Sequence, residues 1–220
     1  MSKFRDYKEY QKYSEEEMLI RSRDFLSEIS KRRTVREFSD KEIPKEVIEN
    51  CIKSAGTAPS GANLQPWTFV AINDIKIKKI IREKAEEEER EFYDHRAPED
   101  WLEAIEPFDT DANKPFLETA PWLIPIFVQK YRIEKRGEIV KHYYTSESVG
   151  IATGILINAL HHCGLATLTH TPSPMNFLNE ILDRPKNEKP FLLLVVGYPK
   201  AGIQVPQIIK KPLEQYSKFV

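Results

Sequence analysis

Glycine is scarce: 8 of 220 residues, with no Gly-x-Gly-x-x-Gly and no Walker loop among them. Such loops let backbone amides approach a pyrophosphate, so their absence argues against a nicotinamide dinucleotide domain or a P-loop. Gly-x-Ser-x-Gly and Cys-x-x-Cys are missing too, which removes the hydrolase nucleophile elbow and the thioredoxin-type dithiol. The two cysteines, Cys51 and Cys163, cannot build a disulfide framework, and both fall in helical apolar patterns. They are expected as buried free thiols acting as small hydrophobes. No stretch approaches the ~18 apolar residues of a membrane span, and the first residues, Met1 to Lys8, lack the apolar centre of a signal peptide. The expectation is a cytoplasmic protein with no membrane partner. Neither sign of charge prevails, 33 Lys and Arg against 34 Asp and Glu, so no global field draws in nucleic acid. His161 and His162 are adjacent on a helical pattern. They point about 100° apart and cannot converge on one ion, so no metal site is expected.

What is present suffices for one sizeable core. Hydrophobic residues make up 40% and aromatic residues 10%, and the length predicts a single domain over 1–220. Ser14 followed by Glu17 reads as a capping box that opens a helix with apolar positions at Met18, Leu19, Phe25, Leu26 and Ile29, ending near Arg32. Pro44 and Gly56 bracket a second helix, with Val47, Ile48, Cys51, Ile52 and Ala55 on one face. Trp67 to Ile72, rich in aromatic and β-branched residues, predicts a strand, and a helix follows from about Ile75 toward Tyr93.

Residues 94–118 carry Pro98, Pro107 and Pro115 among many acids and predict a mobile lid inserted into the domain. Pro121 to Val128 is a strand that Pro125 demotes toward an edge or a bulge. Ser146 to Gly164 is a helix apolar nearly all round, which places it in a large core or a subunit interface. Phe191 to Val196 is a further buried strand, and the tail from Ala201 reads as an extended arm. Strands are few and alternate only in part with helices, so the fold class is α+β, with helices around one mixed or mostly antiparallel sheet.

Two segments carry chemistry. Arg32-Arg33-Thr34-Val35-Arg36 places three guanidiniums and a hydroxyl at a helix end, which either complements the helix dipole or binds a phosphate through arginine forks. Ala58-Pro-Ser-Gly-Ala-Asn-Leu-Gln-Pro-Trp67 is a turn-rich link between a helix and a strand. It is either an ordinary loop or a set of amides able to read a planar heterocycle. With Val-Gly-Tyr-Pro199 ahead of Lys-Lys-Pro212, these segments resemble, in order and spacing, the nitroreductase superfamily.

The resemblance runs from about Ser30 to the C-terminus and implies an FMN enzyme built as an intertwined homodimer with a C-terminal arm. It implies that Arg32, Arg33, Thr34 and Lys210 approach the FMN phosphate, Arg36 the N1/O2 edge, and Ser60, Asn63 and Thr169 the ring and its polar edge. A cation beside N1 stabilises the charge that appears there on reduction. Lys210 stands where many members carry an arginine, which keeps the charge but not the bidentate fork.

Within that superfamily the run Glu86 to Glu89, then Tyr93, Trp101 and Lys114, with His142-Tyr-Tyr144 and Thr169-His-Thr-Pro172, is similar to the iodotyrosine deiodinases. A glutamate run alone is normally a solvated helix face. The resemblance implies that Glu89, Tyr93 and Lys114 clamp the zwitterion of a halogenated tyrosine or related phenolic amino acid. The i,i+4 spacing lets Glu89 and Tyr93 converge. It also implies that Trp101 closes over the substrate, that the Ala62 N–H binds the phenolate, and that the catalytic Thr171 hydroxyl meets flavin N5 and favours one-electron steps. Electrons would come from an external reductase. A general NAD(P)H-fed nitro or quinone reductase, or an FMN-binding protein without turnover, are the competing readings.

Overall fold

The computed structural model describes residues 4–108 and 110–220. By its internal contacts the chain divides into a unit that ends at Arg32 and a second unit, Arg33–Val220. The first holds one helix, α1 (Glu15–Ser30), where Ser14 Oγ accepts the Glu17 N–H at 3.2 Å and opens the first turn. No residue of α1 is buried; Phe25 and Leu26 are 58% and 63% exposed. Its apolar positions follow the predicted pattern, but a lone helix has nothing of its own to bury them against.

In the second unit, α2 (Lys45–Ala55) lies between Pro44 and Gly56 as their signals predict. The chain continues as β1 (Trp67–Phe69), α3 (Ile75–His95), α4 (Glu99–Ile105), α5 (Phe116–Thr119), β2 (Trp122–Gln129), β3 (Tyr131–Ile133), β4 (Ile139–Lys141), α6 (Thr145–His162), β5 (Ala166–His170), α7 (Phe177–Ile181) and β6 (Glu188–Gly197). Strands β1, β2, β6 and β5 form, in that order, one antiparallel sheet, while β3 and β4 form a separate hairpin. The class is α+β, as expected.

Alternation along the inner strands sorts side chains onto two faces. Leu123 and Phe127 of β2, with Leu193 and Val195 of β6, pack on one face with Ile81 and Ala85 of α3, Leu117 of α5 and Leu178 of α7. Trp122, Ile124, Ile126, Leu194 and Val196 face the other way, onto Ile48 and Cys51 of α2 and Val149, Leu156 and Leu160 of α6. The sheet is thus the middle of three layers. Burial of each such aliphatic side chain contributes about 1.5–3 kcal/mol, which fixes the strands that carry the site.

The structure corrects several expectations. Pro125 lies in an inner strand, paired with Leu193, with a register shift beside it at Ile126/Phe127. In a strand one residue's N and O point the same way, and the Pro125 carbonyl accepts from Val70 N–H at 3.0 Å. The missing N–H therefore faces the side of β1, which ends at Phe69, and costs the β2–β6 ladder nothing. The strand predicted over 67–72 is correspondingly short, with Ile72 keeping an isolated bridge to Leu123. Cys163 is exposed because it caps α6 rather than lying within it, although Cys51 is buried and their Sγ atoms stand 3.8 Å apart. From Lys114 onward the span expected as lid is core, since Phe116 and Leu117 are buried. Among the described residues no helix is long and apolar enough to cross a membrane.

Candidate active site

Strand β5 positions the site. Thr34 bridges Thr167 in parallel, and the Val35 N–H donates to the Thr167 carbonyl at 3.3 Å. This lays the Arg33–Arg36 segment along the edge of the sheet. On the same side, α3 presents Glu89 and Tyr93 one turn apart. A cavity of about 140 Å³ is lined by Arg36, Glu89, Tyr93, Trp101, Thr110, Lys114, Phe116 and residues Leu168 to Thr171. Six elements or connections thus deliver Arg36, Glu89, Tyr93, Trp101, Lys114, Thr169 and Thr171 to one place.

Within the cavity Lys114 is buried and heavily engaged. Its ammonium lies 3.4 Å from Glu89 Oε2, donates to Thr110 Oγ1 at 3.2 Å and to the Asp111 carbonyl, and sits 5.8 Å from the centre of the Tyr93 ring. The Lys114 N–H donates to Glu86 Oε1 at 2.8 Å, which ties the loop ahead of α5 to α3. Trp101 stacks edge-on against Tyr93 and Phe92, with ring centres 5.6 and 4.9 Å apart. Tyr93 Oη donates across 3.4 Å to the Thr110 carbonyl. The aromatic contacts hold α4 over the end of α3.

Burial governs the electrostatics. The Glu89 carboxyl is pushed above the usual carboxylate range by desolvation, with Lys114 pulling it back. Desolvation and the Glu89 charge push the Tyr93 phenol up. Desolvation lowers the Arg36 guanidinium, whose face also meets the Phe108 ring at 5.5 Å. His170 falls from 6.5 to about 3, through burial first and Lys114 second, and is neutral at ordinary pH. Its Nε2 is buried without a hydrogen-bond partner, 4.0 Å from Glu89 Oε1. His170, Thr110 and Phe116 are wall residues that no sequence signal singled out. The signal that existed was the Leu-Thr-His alternation after Gly164, a short strand overlooked beside the long helix.

Other expected residues lie elsewhere. Arg33 donates from Nη2 to the Pro206 carbonyl, and a second cavity, about 370 Å³, runs from Thr34 and Arg36 past Phe108 to residues 203–206. Arg36 lines both cavities. Lys210 is exposed in the tail and lines neither. Arg32 belongs to the first unit, where its N–H reaches the Ile29 carbonyl at 3.1 Å. Ser60, Ala62 and Asn63 precede β1, at the sheet edge opposite β5. There Ser60 Oγ accepts the Gln65 N–H at 3.0 Å, and Ala62 and Asn63 take left-handed φ values of 48° and 54°.

A further cavity, about 960 Å³, lies near Trp122 and contains none of these residues. Its three cations are already engaged, Lys45 with Glu49 at 3.3 Å, Lys78 with the Ala120 carbonyl at 2.8 Å and Arg82 with Glu118 at 2.9 Å. Among the described residues no cluster of three or more metal-ligating side chains occurs.

Comparison with known proteins places this geometry. The model of the nitroreductase family matches residues 29–198. The iodotyrosine deiodinase of Haliscomenobacter hydrossis is 54% identical over 90% of this chain and 90% of its own length. Human iodotyrosine deiodinase 1 is 45% identical over 92% of this chain and 71% of its own. Among solved structures, an oxidized iodotyrosine deiodinase bound to FMN and 3-iodo-L-tyrosine superposes with a TM-score of 0.77 at 30% identity, over 89% of this chain and all of that one. By sequence and by fold, the chain belongs to the nitroreductase family and, within it, to the iodotyrosine deiodinases.

Proposed function

We propose that this protein is a homodimeric, FMN-dependent reductive dehalogenase of halogenated tyrosines, which converts iodotyrosine to tyrosine and iodide. The observation that carries the reading is the meeting of Glu89, Tyr93, Lys114 and Trp101 with Arg36, Thr169 and Thr171 around one cavity. A carboxylate for an ammonium, an ammonium and a phenol for a carboxylate, and an indole as cover match a zwitterionic aromatic amino acid.

The donor set also fits FMN. Arg33 and Thr34, beside residues 203–206, would hold the phosphate, Lys210 of the exposed tail would add its charge, and an anionic ring edge would offset the desolvation that lowers Arg36. Thr169 and Thr171, both exposed at the cavity wall, would offer hydroxyls to the flavin ring, Thr171 as the hydrogen-bond partner of its N5. When bound, FMN supplies the electrons that reduce the carbon–halogen bond, replenished by a separate reductase. The chain's residues hold the zwitterion, exclude water beneath Trp101 and keep the phenol oriented through the Ala62 N–H.

That last contact supports two copies per site. Ser60 to Asn63 precede β1 and Thr169 lies on β5, at opposite edges of a four-stranded sheet. Three strand spacings, about 14 Å, separate them, so one chain does not bring both to one ring. A copy related by a two-fold axis would. The exposed apolar face of α1, Ile151 on α6, and Ile209 and Phe219 in the tail are the surfaces such a dimer covers. In this reading the tail is the arm that embraces the partner, residues 94–113 are the lid, and the protein works in the cytoplasm.

Glu89→Gln tests the reading directly. Iodotyrosine binding should weaken by roughly one to two orders of magnitude, while FMN binding and nitroarene turnover persist. Isothermal titration of iodotyrosine and a nitroarene assay on the same variant decide it. Equal loss of both activities, or of neither, removes the substrate assignment.

A further inference from the structure

The cavity wall contains a buried polar atom for which the proposed clamp has no use. His170 is the last residue of β5, 7% exposed, with Phe116 edge-on to its ring at 5.7 Å. Its Nε2 has no hydrogen-bond partner, and a buried polar nitrogen left without one is rare in folded proteins. Because that atom is shielded from the cavity, a ligand does not reach it directly. Glu89 Oε1 faces it across 4.0 Å, too far for a bond, while Oε2 of the same carboxylate faces Lys114 at 3.4 Å. The charged and titratable groups around the imidazole are Glu89 and Tyr93 from α3, Lys114 ahead of α5, and Arg36 across the cavity.

Resting on the substrate reading above, we infer that His170 is a positioning residue for Glu89. When the ligand's carboxylate draws on Lys114, the neutral imidazole donates its Nε2–H to Glu89 Oε1 and keeps that carboxylate ionised and aimed at the ligand's ammonium. The required movement is small: closing 4.0 Å to a charge-assisted hydrogen bond needs about 1.2 Å. The need for it is physical. Lys114 is the group that holds down the pKa of Glu89 against desolvation. Sharing Lys114 with a second carboxylate weakens that hold at the moment Glu89 must be charged. A neutral donor replaces part of it without adding a cation that would repel the ammonium.

The test uses FMN-loaded wild type, His170→Gln and His170→Phe, titrated calorimetrically between pH 5 and 8. The ligands are 3-iodotyrosine and its des-amino analogue, 3-(3-iodo-4-hydroxyphenyl)propanoate. Gln can place an amide N–H where Nε2 stood; Phe fills the space without a donor. His170→Phe should bind iodotyrosine about tenfold more weakly at pH 7, with the acid limb of binding moved up by about one pH unit. His170→Gln should stay within about threefold of wild type. Neither change should alter binding of the des-amino analogue, which has no ammonium for Glu89 to meet.

If His170→Phe does not fold, the wild type still decides. Nitrogen-resolved NMR of its histidines should reveal, on addition of iodotyrosine, a slowly exchanging Nε2–H that the ligand-free protein lacks. Equal weakening for both ligands, an unmoved acid limb, or an unchanged histidine spectrum overturns the role of His170 alone. Failure of the wild type to bind iodotyrosine at all overturns the substrate reading and this inference with it.

Discussion

Strand β5 forms one edge of the sheet and carries Leu168 to His170 into a wall closed by α3 and α5, where Lys114 and His170 are almost fully buried. At the other edge, the loop ahead of β1 is largely exposed and holds its shape through the Ser60–Gln65 and Ser60–Asn63 hydrogen bonds, at 3.0 Å each, and through left-handed residues. The first edge fixes charges by packing and accepts a desolvation cost that is visible in the shifted Glu89 and His170. The second holds its backbone by local geometry, the Asn63, Leu64 and Gln65 amides each donating to an oxygen within the loop. Packing positions side chains by burial, whereas a turn-rich loop positions its backbone by hydrogen bonds between near neighbours. On the reading proposed above, the first edge assembles its residues within one chain, and the loop would meet the ring only from a partner copy.

The largest expected effect separates the edges by packing. Leu117, fully buried three residues after Lys114, should cost about 2–5 kcal/mol when changed to alanine. Leu64, half-buried in the β1 loop, should cost about 1 kcal/mol or less. Urea unfolding of both variants at one protein concentration gives the comparison, because subunit association alters apparent stability. Similar losses would mean that the loop is as tightly packed as the wall, and the contrast between the edges would disappear.

The next effect uses pH. His170 has a folded pKa of about 3 against 6.5 unperturbed. Its depressed value contributes stability that is present above pH 6.5 and is lost as pH falls toward 3, because only the unfolded chain takes up the proton there. At pH 5 the loss relative to pH 8 is about 2 kcal/mol. Glu89, whose pKa is raised, acts in the opposite sense: its stabilisation is present at low pH and declines as pH rises through its folded value. Comparing His170→Gln with wild type at pH 8 and pH 5 cancels most of the Glu89 contribution. The variant should lose about 2 kcal/mol less on acidification. An identical pH slope in both proteins would show that the imidazole is solvated, not sealed in the wall.

The same contrast explains what could be read from the sequence. Helices α1 and α2 announce themselves through Ser14 and Glu17, Pro44 and Gly56, because capping is local chemistry between residues three or four apart. Glu89 and Tyr93 converge for the same reason, one turn apart on α3. Strand β5 has five residues and no cap, and its existence rests on pairing with β6, 23 or more residues further along. His170 stands in the Thr169-His-Thr-Pro172 motif with no role legible there, because its significance arises from α3 and the loop before α5. Pro125 misleads because its tolerance depends on where a neighbouring strand stops, and Cys163 because one residue separates a helix interior from its cap. The opposite-edge placement of Ala62 and Thr169 is a property of strand order alone.

The smallest expected effect falls on the exposed edge and tests whether that loop meets the flavin. Gly61 is not in the left-handed region, so an alanine there carries no backbone strain. Its Cβ would lie 2.9 Å from Tyr144 Cδ2 and 3.3 Å from the Tyr143 carbonyl. Tyr144 is exposed, so its ring can swing aside, whereas the Tyr143 carbonyl yields only by a shift of backbone. Relief of so tight a contact should lower stability by about 1 kcal/mol and displace Ala62 and Asn63 by a few tenths of an ångström. If those residues meet the ring from the partner copy, Gly61→Ala should weaken FMN binding several-fold, the dimer and the far-ultraviolet circular dichroism staying as they are. Flavin fluorescence on titrating the apoprotein measures the first, and sedimentation velocity the second. FMN affinity equal to wild type, in a variant whose stability does fall, would place the loop away from the ring and leave the β5 wall to hold the cofactor by itself.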